Sequence, residues 1–129
     1  MLHRNAIRAY QEAERDFLID GADAHGLVEI LFTELIVSLK LAKTGLEGAD
    51  LSTKSSGVSK ALSIIHVLAT SLDFDKGGEV AISLAQLYEW SRRRIIEASR
   101  DNIAAYLEEV LGAISEIADA WRSIAVRPA

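Results

Sequence analysis

A single proline, Pro128, is all the chain holds of the residue that most reliably ends a helix. Everything before it is therefore open to helical backbone. Nothing in the sequence shows the apolar–polar alternation of a half-buried strand. Apolar residues recur instead at spacings of three and four, the period of an amphipathic helix. With 129 residues, half of them hydrophobic, the chain is one domain that buries roughly two-thirds of its unfolded surface. The predicted class is all-α: an antiparallel four-helix bundle with an N-terminal arm or short helix.

Residues 1–22 form the arm, where Ile7, Tyr10 and Phe17 make a sparse stripe among polar residues. Residues 23–125 form the bundle and 126–129 a tail. The first helix is predicted over Ala24–Glu47, with Asp23 as its N-cap, because an aspartate oxygen there accepts from an orphan amide of the first turn. Gly48 ends it. Gly48 to Gly57 encloses Ser52, Thr53, Ser55 and Ser56 between glycines and reads as a loop. The second helix then runs over Val58–Leu72. Asp75 to Gly78 is a turn needing positive φ at one glycine, and the third helix follows over Glu79–Ser99. Arg100-Asp101 makes a tight break, with Asp101 capping a fourth helix over Asn102–Ile124. Two short connections and one longer one suit antiparallel neighbours.

The net charge of −5 argues against nucleic acid, since phosphate contacts need surplus Lys and Arg, and it disfavours an anionic membrane surface. There are no cysteines, which removes disulfides and thiolate metal sites and suits a reducing cytoplasm. Met1 to Asp20 is mixed in charge and has no apolar core of a signal peptide. The longest apolar region, Leu27 to Leu46, is broken by Glu29, Glu34, Lys40 and Lys43, well short of the ~20 apolar residues of a membrane span. The expectation is a cytoplasmic protein that binds a soluble partner.

The helices differ in how much apolar surface they carry. Placed about 100° apart, Ile103, Leu107, Val110, Leu111, Ile114, Ile117, Ala118 and Trp121 give the fourth helix one stripe and one wet face. The first helix has a main stripe of Val28, Leu31, Phe32, Leu35, Leu39, Ala42 and Leu46. A second stripe, Ile30, Val37 and Leu41, lies beyond a notch holding Glu34 and Ser38. The third helix has a core stripe of Val80, Leu84, Leu87, Tyr88, Ile95 and Ala98. Ile82, Ala85, Trp90 and Ile96 lie outside it. In the second helix Ile64 and Val67 fall off the stripe of Val58, Ala61, Leu62, Ile65, Leu68 and Leu72. Single surface hydrophobes are ordinary. Several lined up on two helices suggest a docking surface for a partner's apolar helix or extended segment, which the arm's Ile7 and Tyr10 would cover when the partner is absent.

Catalytic and metal chemistry find little support. His3, His25 and His66 are scattered, and none has the Glu at i±3 that di-iron bundles use. No cofactor is expected. Arg92-Arg93-Arg94 reads as a solvated face near the C-terminal half of a helix, where cations suit the dipole. Arg94 lies closest to the apolar stripe, placed to pair with an acidic group of a partner.

The residues resemble one family. Ala9-Tyr10-Gln11, Ala22-Asp23-Ala24-His25-Gly26-Leu27-Val28, Lys60-Ala61-Leu62-Ser63-Ile64-Ile65 and Ala118-Asp119-Ala120-Trp121 are similar to segments of the flagellar secretion chaperone family, FliS, over about residues 7 to 124. The most specific part is Leu72-Asp73 followed by Gly77-Gly78-Glu79, then Leu84-Ala85-Gln86-Leu87-Tyr88 with Trp90, then Arg93-Arg94-Ile95-Ile96-Glu97-Ala98. Ala24, Thr33-Glu34, Trp90 and Ser99 depart from the family pattern. It has a proline, an Asp-Gly, a tyrosine and an asparagine there. The Asp-Gly would leave room for a partner helix, and Glu34 narrows that part of the surface. The resemblance implies a cytoplasmic four-helix bundle without catalytic activity. It would bind the disordered C-terminal segment of flagellin, block premature filament assembly and aid delivery to the export gate. With the double stripes, it marks Ile30, Leu31, Leu35, Val37, Ile82, Tyr88, Trp90, Arg94 and Ile96 as partner-binding candidates, and Tyr10 as the docking residue of the arm. The rival reading is a histidine phosphotransfer bundle using His66. His66-Val67-Leu68-Ala69-Thr70 resembles its His-x-Leu-Lys-Gly, but Ala69 supplies no cation and Thr70 replaces the glycine that permits close approach.

Overall fold

The computed structural model describes residues 22–124, with side chains from residue 25 onward. Four helices occupy them: α1 (Ala22–Glu47), α2 (Leu51–Thr70), α3 (Phe74–Asp101) and α4 (Ala104–Ser123). The predicted tail and the predicted arm up to residue 21, Tyr10 included, lie outside the described residues. Contacts at both ends show that neighbours run antiparallel. Lys43 meets Glu108 at 3.3 Å near one end of α1. Near the other, Trp121 Nε1 donates to the His25 carbonyl at 2.9 Å and Arg122 meets Glu29 at 3.0 Å. Helix α1 packs on α2 and α4, and α3 packs on the same two. Helices α1 and α3 therefore stand at opposite corners. The predicted bundle is what the chain forms.

The core is layered from all four helices. Phe32, Leu35 and Leu39 meet Ile65 and Leu68, Tyr88 and Ile95, and Leu107, Val110 and Ile114. Burying each of these large side chains contributes about 1.5–3 kcal/mol.

Four boundaries depart from the sequence expectation, most of them for a local reason. The Ser-rich stretch after Gly48 is helix, not loop. Asp50 caps it, accepting the Thr53 amide at 3.1 Å and the Thr53 hydroxyl at 2.7 Å. These bonds hold the Asp50 carboxyl below its usual range, the hydroxyl foremost. Gly57, read as a breaker, instead serves packing. A Cβ there would lie 2.7 Å from the Ser38 carbonyl oxygen and collide with the Ala42 backbone, so its absence lets α1 and α2 nearly touch. All three interhelical connections are consequently short.

Asp101 does not cap α4. It ends α3, its carboxylate accepting from Arg100 at 3.1 Å. The chain reverses through Asn102 at φ 56°, ψ 48°, a left-handed conformation that Asn tolerates better than most residues. Lys54 Nζ donates to Asn102 Oδ1 at 2.8 Å and to the Ser99 carbonyl at 2.9 Å, tying this reversal to the start of α2. Asp23 likewise falls within α1, which begins at Ala22, rather than ahead of it.

The expected turn at Asp75–Gly78 is a short capped turn of helix that breaks. Asp73 accepts the Lys76 amide at 3.0 Å, and one turn later Gly78 takes φ 51°, ψ −126°. This is the positive φ anticipated at one glycine, in a region open to glycine alone. The helix resumes at Glu79 in a new direction. Val80, expected in the core, is 68% exposed because it follows that break at the end of the bundle. Ile64 and Val67, expected off the stripe of α2, are buried and half-buried. Helix α2 lies between α1 and α3 and so buries two stripes.

Candidate functional site

Apolar surface remains exposed at two opposite corners. On α1, Ile30, Val37 and Leu41 are 59%, 54% and 41% exposed. They lie at i, i+7 and i+11, so they share one outward line. On α3, Ile82, Trp90 and Ile96 are all exposed, and Phe74 joins them from the turn before Gly78. Phe74, Ile82, Ala85 and Trp90 surround a shallow hollow whose rim carries Gln86, Glu89 and Arg93. Since α1 and α3 are diagonal, the two faces look away from each other.

Several of the charged groups beside these faces are paired within the chain. Glu89 accepts from Arg92 Nη2 at 2.7 Å and Arg93 Nε at 3.0 Å. These bonds lower its carboxyl to about 2. Arg92 is raised by the same contact. On α1, Glu34 meets Lys60 of α2 at 3.0 Å. Arg94, expected to await a partner's acid, is engaged at home: Nε donates to Glu109 at 2.9 Å, Nη1 to Glu97 at 3.3 Å, and the guanidinium lies 3.8 Å from the Tyr106 ring centroid. The Glu109 bond leads in holding its proton more tightly. This set clasps α3 to α4.

The sequence-predicted site residues thus separate into several groups. Ile30 and Val37 share the α1 face, and Ile82, Trp90 and Ile96 the α3 face. Leu31 is half-buried against the core. Leu35 is fully buried and offers no surface. Tyr88 is 3% exposed and lines a cavity of about 420 Å³ at the end of the bundle, with Phe32, Leu72, Val80 and Trp121. Tyr10 lies outside the described residues. Sequence reasoning missed Phe74, which falls between the predicted second helix and the Asp75–Gly78 turn and so lies on no stripe. An aromatic three residues ahead of a Gly-Gly pair was the available signal.

His66 lies exposed on α2, with the Thr70 hydroxyl donating to its carbonyl at 2.8 Å. Among the described residues, no group of three or more His, Cys, Asp or Glu is arranged to hold a metal ion, and no helix is long and apolar enough to cross a membrane. What the arrangement offers is surface: two apolar lines edged with ion pairs, suited to a chain that lies along them.

Comparison with known proteins leads the same way. The family model described as flagellar protein FliS matches residues 4–128. The flagellar secretion chaperone FliS of Salmonella typhimurium is 38% identical over 125 residues, 96% of this chain and 93% of the relative. Flagellar secretion chaperone FliSB of Pseudomonas aeruginosa is 30% identical over 124 residues, 96% of this chain and 98% of the relative. The FliS of Vibrio cholerae is 31% identical over 121 residues, covering 94% and 89%.

Proposed function

This chain belongs to the flagellar protein FliS family, and from that premise we propose that it is a flagellin export chaperone. It binds the disordered C-terminal segment of flagellin in the cytoplasm, keeps flagellin from polymerising prematurely and delivers it to the flagellar export gate. It acts by binding and carries out no reaction.

The observation that carries this reading is the pair of unpartnered apolar faces. A segment that folds on binding spends about 2–5 kcal/mol or more of its contact energy on ordering. Covering a half-exposed Ile, Val or Leu returns about half of the 1.5–3 kcal/mol for complete burial. Ile30, Val37 and Leu41 together return about 2–5 kcal/mol, which only matches the ordering cost. Adding Phe74, Ile82, Trp90 and Ile96 brings the total clear of it. A flexible segment long enough to run from one corner of the bundle to the other is the occupant that gains from both faces.

Calorimetric titration with the C-terminal segment of the flagellin from the same genome tests this. The expected result is one-to-one binding with a large negative heat-capacity change. A folded protein that binds no such segment overturns the reading.

A further inference from the structure

We infer that the Glu34–Lys60 pair is a specificity element of the α1 face. It selects a partner helix that places a hydrogen-bonding side chain between two apolar anchors. The inference rests on the chaperone reading above and names what that face accepts.

The outward line of α1 has a gap. Ile30, Val37 and Leu41 would continue at position 34 in an uninterrupted apolar stripe, because i+4 lies almost on the same side of the helix. Position 34 holds a carboxylate instead, 47% exposed at the side chain, bonded at 3.0 Å to Lys60 Nζ across the α1–α2 seam. Beside it, the Ser38 hydroxyl donates to the Glu34 carbonyl at 2.8 Å and is itself buried. Exposed residues of α2 on this side, Ser56, Lys60 and Ser63, are polar. An apolar segment laid along α1 therefore crosses an ion pair midway between its contacts.

In water such a pair contributes little. Under a partner the balance changes. Both charges lose hydration, and each lone pair of Glu34 not used by Lys60 needs a donor. A partner with a continuous apolar stripe supplies none and is penalised. One with Ser, Thr, Asn, Gln or Arg at that point satisfies the carboxylate and keeps its anchors on Ile30 and Val37. Those anchors stand about 10 Å apart along α1, at 1.5 Å per residue. A partner helix meets them with apolar residues seven positions apart and the donor between. Discrimination then comes from the wrong partner's unsatisfied polar group, which is negative selection rather than added attraction.

The test is a cycle of titrations. The wild type and Glu34→Leu are each titrated with the same-genome flagellin C-terminal segment, and with variants of it in which one Ser, Thr, Asn, Gln or Arg is replaced by Leu. At one position, replacement is expected to weaken binding to the wild type about tenfold and to leave binding to Glu34→Leu unchanged or stronger. Glu34→Gln, which keeps an acceptor, is expected to retain the wild-type preference, so the test stands even if the leucine variant associates with itself. Equal losses on all three proteins at every position overturn the inference while leaving the chaperone reading intact. No binding by the folded wild type overturns both.

Discussion

Trp121 lies flat on His25. Their rings stack with centroids 4.4 Å apart and planes 9° apart, and the indole Nε1 donates to the His25 carbonyl at 2.9 Å. The last turn of α4 is thereby bonded to the first turn of α1, the two ends of the described bundle. Phe32 meets the same indole edge-on at 6.4 Å. Trp121→Ala removes the stack, the hydrogen bond and part of the end-cavity wall. It is expected to cost about 2–4 kcal/mol, read as a lower urea midpoint. Trp121→Phe keeps most of the ring and should cost less. Equal losses would mean that the hydrogen bond, not the packing, holds this corner.

Gly57 and Gly112 should respond oppositely to the same substitution. At Gly57 a Cβ meets the α1 backbone, whereas at Gly112 nothing lies within 4 Å. Gly57→Ala is expected to destabilise by about 1–3 kcal/mol through forced separation of α1 and α2. Gly112→Ala is expected to stabilise by up to about 1 kcal/mol, since alanine is the better helix former at an open site. Thermal denaturation of the pair reads both signs directly.

Val37→Asp and Trp90→Asp are expected to weaken flagellin-segment binding about tenfold or more while leaving the melting temperature within a few degrees of wild type, because both side chains already face water. Leu35→Asp, at a fully buried position, is expected to unfold the bundle, since an unpaired charge cannot remain there. Circular dichroism melts beside the titrations separate the two behaviours. If Val37→Asp unfolds the protein, α1 does not present that face.

The Glu89 cluster gives a pH dependence of known sign. Arg92 and Arg93 hold the folded-state carboxyl near 2, against 4.5 unperturbed. A depressed carboxylate contributes its stability above the unfolded value and loses it as pH falls toward the folded value. The advantage of wild type over Glu89→Gln in melting temperature should therefore be full at pH 7 and shrink between about 4.5 and 2. All three side chains are exposed, so added salt should reduce it as well. An advantage that stays constant down to pH 3 would show that these bonds do not persist in solution.

The helical period was enough to find the bundle and most of its core. Phe32, Leu39, Ile95 and Ile114 stood on their stripes in the sequence and stand in the core. Ile30, Val37, Ile82 and Trp90 fell off their stripes and are exposed. What periodicity could not convey was tertiary. Gly57 and the serines before it look the same in sequence whether they break a helix or admit a neighbour's backbone, and only the closeness of Ala42 decides. Asp101 has the composition of an N-cap, yet Asn102 made the better reversal. Arg94 looked available because Glu109 is fifteen residues away, on a helix whose rotation the sequence does not state.

The break at Gly78 has a bearing on how this protein can change. Phe74 is aimed by the dihedral angles of one glycine and not by the repeat of the helix that follows. Residues from Glu79 to Asp101 must keep their phase to hold the core, but the short turn ahead of them is exempt. Its aromatic can be exchanged with no repacking inside, because Phe74 is itself exposed while Gly77 and Gly78 keep the break in place. One edge of the α3 hollow is thus free to evolve at a different pace from the rest, which lets a lineage follow drift in its partner's sequence without reopening the fold.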